Sequence, residues 1–332
     1  MRLAKFEFAE PETLEDACAV LAARAEEAVM LGGGTDITIN IKHRVVQPKL
    51  VIDVKNLREL QYIRETDEGV AIGAATTLFE MLGSPLVRER YPLVAEAARS
   101  VGAEHHQMMG TVAGNLCQNT RCRYYNQTHF WRKARPLCYK ACGEQCYIAN
   151  KPQVCYATYH GDTAPALMCC EALLTLRGPQ GVRSIGVGEL FARDGKAPFT
   201  LRRGELITEV LLPHAAAPAN GWRGDYKKLR QRGSIDFPLL SVAVAARRDG
   251  GGKCAEARIA LSAVTSYPLR VPKAEEALRG TALDDDAIAE ASRRAASADR
   301  FIQTGFVSTK YKKHMIEVFV REALEAIRRE AA

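Results

Sequence analysis

No apolar run in this 332-residue sequence approaches the ~20 residues that a membrane-crossing helix needs. The N-terminal stretch MRLAKFEFAEPETLEDA carries acids where a secretory signal would place its apolar segment, so a cytoplasmic location is expected, with no membrane partner. The glycine-rich stretches lack both the G-x-G-x-x-G order of a Rossmann turn and the G-K-[ST] ending of a Walker loop. The cysteine-rich stretch lacks a C-x-x-C pair, which counts against a zinc ribbon. No carboxylate pair stands out for acid–base chemistry, and no nucleic-acid module is visible, so no nucleic acid is expected as a partner.

Of what is there, length comes first: 332 residues exceed one compact core and imply two or three domains. The formal net charge of +7 is concentrated, with Arg121, Arg123, Arg132, Lys133, Arg135 and Lys140 crowding one short segment. That segment is either a solvated loop or a docking face for an acidic electron carrier or subunit.

Read along the chain, Thr13 caps a helix from Leu14 to about Ala25, AVML is a short buried strand, and KLVIDV is another. A helix, two strands and a glycine turn in close succession suggest a nucleotide-binding α/β module. The next segment, from about Leu57 to Pro213, has strands LQYIRE and GVAIGAAT, a helix capped by Thr77, a helix in YPLVAEAARSVG, and the strand ELITEVLLP. AAAPANG reads as a linker. Beyond it lie strands YKKLRQR, LLSVAVAARR and ARIALSAV, a hairpin turn in RDGGGK, and helices at about Lys273–Leu278, Asp285–Ala296 and Lys310–Arg329. Tyr311, Lys312, Lys313 and His314 read as a solvated helix start. Cys18, Cys169 and Cys170 read as core thiols.

Two glycine turns carry the binding signal. Gly32, Gly33, Gly34, Thr35 and Asp36 follow a buried strand directly, and consecutive glycines let backbone amides converge into a nest for phosphate oxygens. Gly110, Thr111, Gly114 and Asn115 offer a second set of amides, a hydroxyl and an amide side chain. Together they could grip the two phosphates of a dinucleotide; either alone could be a structural turn.

Six of the ten cysteines (Cys117, Cys122, Cys138, Cys142, Cys146 and Cys155) fall in one stretch. Cytosolic thiols stay reduced, so ligation is the economical reading. Iron–sulfur clusters take four thiolates, as do structural zinc sites. The open spacing Cys122, Cys138, Cys146, Cys155 favours the cluster, while zinc and unligated thiols stay open. Seven aromatic side chains pack the same stretch, either as a shield for a cluster or as a small core.

At this point the sequence resembles the FAD-binding subunits of the xanthine dehydrogenase/carbon monoxide dehydrogenase family of molybdenum enzymes. The resemblance lies in LGGGTD (Leu31–Asp36), GTVAGNL (Gly110–Leu116), HGD (His160–Asp162), ELITEVLLP and YKKLRQRGSIDFPLLSVAVA, and covers essentially the whole chain. It implies an α+β fold: a two-part FAD-binding module (1–215, split at 56/57), then a C-terminal domain of antiparallel sheet and helices (220–332). An insertion at 118–158 resembles that of one branch, the β subunits of 4-hydroxybenzoyl-CoA reductases.

The resemblance implies FAD and a [4Fe–4S] cluster as cofactors. The cluster ligands fall by position on Cys122, Cys138, Cys146 and Cys155, leaving Cys117 and Cys142 as non-ligands. Met30, Leu31, Gly32, Gly33, Gly34, Thr35, Asp36 and Ile37 would hold the pyrophosphate. Thr111, Val112, Ala113, Gly114 and Asn115 would hold the dinucleotide near the ribityl chain, with Ala113 standing where many relatives have a second glycine. Asp162 would bond the cofactor, Leu206 or Ile207 would pack near the flavin, and Lys227 or Lys228 would reach it. Val101 and His105 would flank the isoalloxazine. The implied role is an oxidoreductase subunit relaying electrons from a ferredoxin-like donor towards the [2Fe–2S] clusters of a small subunit and the molybdopterin of a large one. The assembly would be a heterotrimer, itself able to dimerise, that dehydroxylates 4-hydroxybenzoyl-CoA in anaerobic aromatic degradation. The alternatives are an FAD subunit of an oxidative hydroxylase and a zinc-stabilised binding module.

Overall fold

The structure, a computed structural model, describes residues 3–149, 154–299, 301–303 and 307–330. Three sheets organise it.

The first is parallel, built from β1 (Glu7–Ala9), β2 (Ala28–Leu31) and β3 (Leu50–Asp53) in the order β1-β3-β2. Parallel neighbours need a crossover, which α1 (Leu14–Arg24) and α2 (Ile37–Lys42) supply. Thr13 caps α1 as expected, its Oγ1 accepting the Asp16 amide at 3.1 Å. The core of this unit is not self-contained: Leu14, Leu21 and Ile52 pack with Leu57, Leu60, Ala75 and Leu206 from the next unit.

The second sheet is antiparallel. It contains β4 (Ile63–Glu65), β5 (Gly69–Gly73), β6 (Leu173–Gly178), β7 (Gly181–Gly186) and β8 (Leu206–Pro213), in the order β4-β5-β8-β6-β7. Between β5 and β6 run α3 (Leu78–Gly83), α4 (Pro85–Arg90), α5 (Pro92–Arg99), α6 (Glu104–Met109) and α7 (Val112–Leu116). The cysteine-rich lobe with α8 (His129–Lys133) follows, and then α9 (Thr163–Cys169). Thr77 and Glu80 form a reciprocal capping box at α3, with amide contacts of 3.1 and 2.7 Å. The lobe leaves the fold intact because its base is zipped shut. Arg121 N donates to Thr158 O at 2.7 Å, and Thr158 N donates to Arg121 O at 2.9 Å.

The third sheet, order β12-β11-β10-β9, contains β9 (Trp222–Leu229), β10 (Leu240–Arg248), β11 (Cys254–Ser262) and β12 (Leu269–Arg270). It is covered by α10 (Pro272–Leu278), α11 (Asp285–Ala296) and α12 (Thr309–Glu330). β10 reads as a continuous apolar run because both faces are buried. Val242, Val244 and Ala246 face the helices, while Ala243 and Ala245 join the core of the second unit. The expected hairpin turn is present, with Asp249 N donating to Lys253 O at 2.8 Å and Gly252 at φ +77°.

Three expectations need correction. The strand at YKKLRQR ends at Leu229, and Arg232 instead closes a loop onto Asp236. AAAPANG is no loose linker: its middle forms two short 3₁₀ turns, and Ala216 and Ala217 are buried in the second core. Lys312 is not solvated but 0% exposed, its Nζ donating to Ala263 O at 2.7 Å and Ile302 O at 3.3 Å. It lies one turn before Ile316 and shares the buried face of α12 with Ile316, Val320 and Ala323. Lys312→Met would leave two buried carbonyls without that donor, and a loss of about 1–3 kcal/mol in urea unfolding is expected.

Candidate cofactor site and the cysteine lobe

The first glycine turn links β2 to α2, and its geometry fits an anion. Within the described residues, the backbone N–H groups of Gly33, Gly34, Thr35 and Asp36 find no acceptor in the protein. Gly34 sits at φ +72°, which a side chain would strain. The second turn abuts the first so closely that a Cβ on Gly33 would lie 1.6 Å from Met109 O, and one on Gly32 would lie 2.7 Å from Thr111 Oγ1.

The second turn itself departs from expectation. Its amides are largely spent: Val112 N donates to Thr76 O, Ala113 N to Ala74 O, Gly114 N to Thr111 Oγ1 and Asn115 N to Thr111 O. The Asn115 side-chain oxygen accepts from Thr163 N at 3.2 Å and Thr163 Oγ1 at 2.7 Å. This turn therefore buttresses the first and ties α7 to α9. Of the two turns, only the first keeps a run of free amides that fits phosphate oxygens.

His160, Gly161 and Asp162 follow the lobe. A Cβ on Gly161 would strike the Tyr159 hydroxyl at 2.1 Å, which explains the glycine. Asp162 is buried and accepts from Tyr226 Oη at 2.8 Å and Lys228 Nζ at 2.9 Å. Burial pushes its carboxyl above the usual range, and the Lys228 ammonium opposes that. His160 Nδ1 donates to Pro238 O at 2.9 Å, and its Nε2 accepts the Thr158 hydroxyl at 2.6 Å. Burial lowers its pKa to about 3, so the ring is neutral.

The two candidate lysines, Lys227 and Lys228, part company on the strand. Side chains alternate along β9, so Tyr226 and Lys228 reach Asp162 while Lys227 points to the other face and pairs with Asp225 at 2.9 Å. The Lys228–Asp162 pair is almost fully enclosed, at 4% and 5% exposure. Lys228→Met should cost about 3–5 kcal/mol and loosen FAD, because it strands a buried carboxylate. Lys227→Met should cost no more than about 1 kcal/mol. Urea unfolding and flavin content check both, and equal effects would refute the assignment.

The remaining expected contacts are dispersed. Leu206 and Ile207 are sealed into two different cores on opposite faces of β8, rather than standing at a cavity wall. Met30 packs on the first core, Leu31 ends β2, and Ile37 starts α2. Val101 packs on the second core, its carbonyl taken by Gln107 Nε2 at 3.0 Å. His105 is exposed and stacks on His106 at 5.9 Å.

A cavity between the lobe and the third unit is lined by Arg121, Cys122, Tyr156, His160, Phe237 and Gln303, among others. Arg121 joins it to the first glycine turn, pairing with Asp36 at 2.7 Å while its guanidinium lies 4.3 Å from the Phe237 ring centre. Sequence reasoning missed Arg121 and Phe237 as site residues, because only the fold brings them to Asp36.

A second cavity is lined by Cys122, Cys138, Cys146 and Cys155 with Tyr124, Tyr125, Tyr139, Tyr147 and Tyr156. Cys122 and Tyr156 belong to both cavities, so the two share a wall. Tyr124 N donates to Cys122 Sγ at 3.5 Å. Burial raises the Cys122 thiol and pushes Cys155 to about 11. Cys142 lies outside this wall, exposed and in a left-handed turn at φ 67°. Cys117 packs on the second core, where burial raises its thiol to about 12. Among the described residues, no three His, Cys, Asp or Glu side chains approach closely enough to hold a single metal ion.

The basic segment is not one face. Arg132 bonds to Arg44 O at 2.6 Å and His43 O at 3.3 Å, pinning the lobe to the end of α2, and Arg135 lies 4.0 Å from the Trp131 ring centre. Lys140 is buried. No helix among the described residues is long and apolar enough to cross a membrane.

Comparison with known proteins agrees with this architecture. Residues 4–215 match the model of the FAD binding domain in molybdopterin dehydrogenase, and residues 225–327 match the CO dehydrogenase flavoprotein C-terminal domain. The carbon monoxide dehydrogenase medium chain of Afipia carboxidovorans is 28% identical, over 96% of each chain. The aldehyde oxidoreductase FAD-binding subunit PaoB of Escherichia coli is 31% identical, over 78% of this chain and 82% of its own. A crystal structure of the cyanide-inactivated Cu,Mo-CO dehydrogenase superposes with a TM-score of 0.81 at 25% identity, covering 100% of both chains. With one FAD-domain match spanning most of the chain and full-length likeness in sequence and fold, this chain belongs to the FAD-binding subunits of the molybdenum hydroxylase family.

Proposed function

We propose that this chain is the FAD-carrying, electron-transferring subunit of a molybdenum enzyme and that its inserted lobe holds a [4Fe–4S] cluster on Cys122, Cys138, Cys146 and Cys155. The observation that carries the reading is the shared wall: four thiols line one cavity, and Cys122 and Tyr156 also line the cavity beside the first glycine turn. Four thiols around one space are the number a [4Fe–4S] core takes, and a structural zinc site takes four as well, so metal analysis separates the two. FAD, when bound, exchanges electrons singly or in pairs, which suits coupling to a one-electron cluster.

The chain's own residues have definable tasks. Free amides of the first turn receive the pyrophosphate, Lys228 and Tyr226 hold Asp162 in place, and the aromatic side chains keep water from the thiols. Partners of the reading are a molybdopterin-binding large subunit and a [2Fe–2S] small subunit. Anaerobic purification with flavin and metal analysis, followed by EPR of the reduced sample, tests it. Colourless protein containing one zinc would refute it.

For the substrate, one reading is reductive dehydroxylation, which rests only on the resemblance of the inserted lobe to that of 4-hydroxybenzoyl-CoA reductase β subunits. In that reaction 4-hydroxybenzoyl-CoA takes two electrons and two protons to give benzoyl-CoA and water, with a ferredoxin-like donor supplying the electrons. The other reading, oxidation of an aldehyde or similar substrate, is the one the relatives favour, a carbon monoxide dehydrogenase and an aldehyde oxidoreductase subunit among them. The assay runs the complex with 4-hydroxybenzoyl-CoA and a low-potential donor, and separately with aldehydes and an oxidising dye. Turnover in the second assay alone would reject the reductive reading.

A further inference from the structure

We propose that Lys140 is a built-in counter-charge for the cysteine lobe and sets the reduction potential of the cluster held there. The inference rests on the [4Fe–4S] reading above.

Lys140 is 8% exposed and lines the cavity together with all four cysteines. Its Nζ donates to Asn119 Oδ1 at 2.7 Å, to Thr120 O at 2.9 Å and to Thr120 Oγ1. Three donors meet three acceptors, the full complement of an ammonium group. All three acceptors are neutral, so the bonds fix the cation without cancelling its charge. The anchor is itself rigid, since Thr120 is fully buried and its hydroxyl donates to Gly195 O at 2.6 Å. The Tyr125 ring centre lies 5.0 Å from the ammonium and steadies it further.

A buried cation hydrogen-bonded only to neutral groups is expensive to keep, and the carboxylates of Asp194 and Asp36 act on it only from further off. The cost is offset where negative charge collects beside it, and four thiolates are that charge. An oxidised [4Fe–4S] core with its four thiolates is a dianion. It takes one electron from the external reductant and becomes a trianion, and no proton moves. A cation fixed at Lys140 would attract the trianion more strongly than the dianion, and so would favour reduction.

The test is an EPR-monitored redox titration of the anaerobically purified complex with dithionite, alongside iron, sulfide and flavin analysis. The cluster is read by its fast-relaxing low-temperature signal, distinct from the [2Fe–2S] signals. Lys140→Gln should lower its midpoint, Lys140→Arg should stay near the wild type, and the flavin midpoint should not move. Lys196→Gln, whose ammonium lies 4.3 Å from the Tyr139 ring centre, should shift the cluster less. An unchanged midpoint in Lys140→Gln with full iron overturns the proposal. If that variant loses iron, Asn119→Asp decides, because it pairs the ammonium with a carboxylate. Its midpoint should fall, and no shift overturns the proposal. A wild type without a four-iron signal refutes the cluster reading itself.

Discussion

Gly33→Ala should yield protein that has lost its flavin. The added methyl carbon would lie 1.6 Å from the Met109 carbonyl oxygen, and Met109 C and Gly110 N lie within 2.7 Å of the same point. Backbone, not a flexible side chain, occupies that space, so one of the two turns must move. Overpacking of this kind costs about 1–3 kcal/mol. If the cost falls on the cofactor-competent arrangement of the turns, FAD affinity drops by roughly ten- to a hundredfold. The amides of Gly33 to Asp36 then no longer converge, and the second turn, whose own amides are already engaged, offers no replacement. Gly83→Ala is the control, since nothing lies within 4 Å of its added carbon. It should keep its flavin and its stability. Flavin-to-protein absorbance ratios decide the matter, and a fully flavinated Gly33→Ala would refute the nest.

The same pair of turns shows what the sequence could and could not tell. Elements were legible where local chemistry dictates them: Thr13 and Thr77 cap their helices, and the AVML and LVID runs become strands. The glycine turns were legible as turns, but not their division of labour. The second turn's amides are taken by the carbonyls of Thr76 and Ala74, far along the chain from Val112 and Ala113, and nothing in the local sequence marks those as acceptors. Face choice failed for a related reason. Lys227 and Lys228 differ by one position, and only the pairing of β9 with β10 sets which of them shares a face with Tyr226. Lys140 and Lys312 read as surface charges, because a buried lysine depends on distant carbonyls and hydroxyls that sequence does not place beside it. The cysteines were legible as a set, whereas the wall they share with the neighbouring cavity required the Arg121–Thr158 ladder to close the lobe.

Removing one thiol from that lobe should produce the largest change of all. Cys146 is an informative position because, like Cys155, it is buried and lines the cysteine cavity without touching the larger one. On the [4Fe–4S] reading proposed above, Cys146→Ala takes away one of four thiolates in a space lined by tyrosines, and Cys142, exposed in its left-handed turn, lies outside that lining. The fast-relaxing EPR signal and the associated iron should vanish, while flavin stays bound, since the first glycine turn and the Lys228–Asp162 pair lie outside the lobe. On the same reading, electron delivery from a low-potential donor should fall by orders of magnitude, because the proposed one-electron station would be gone. Cys142→Ala should keep its iron. Cys117→Ala should also keep it and lose only core packing, about 1 kcal/mol for a small buried group. Iron retained at the wild-type level in Cys146→Ala, or lost in Cys142→Ala, would mean that a different set of sulfurs surrounds the metal. The shared wall of Cys122 and Tyr156 would then no longer join a cluster to the flavin.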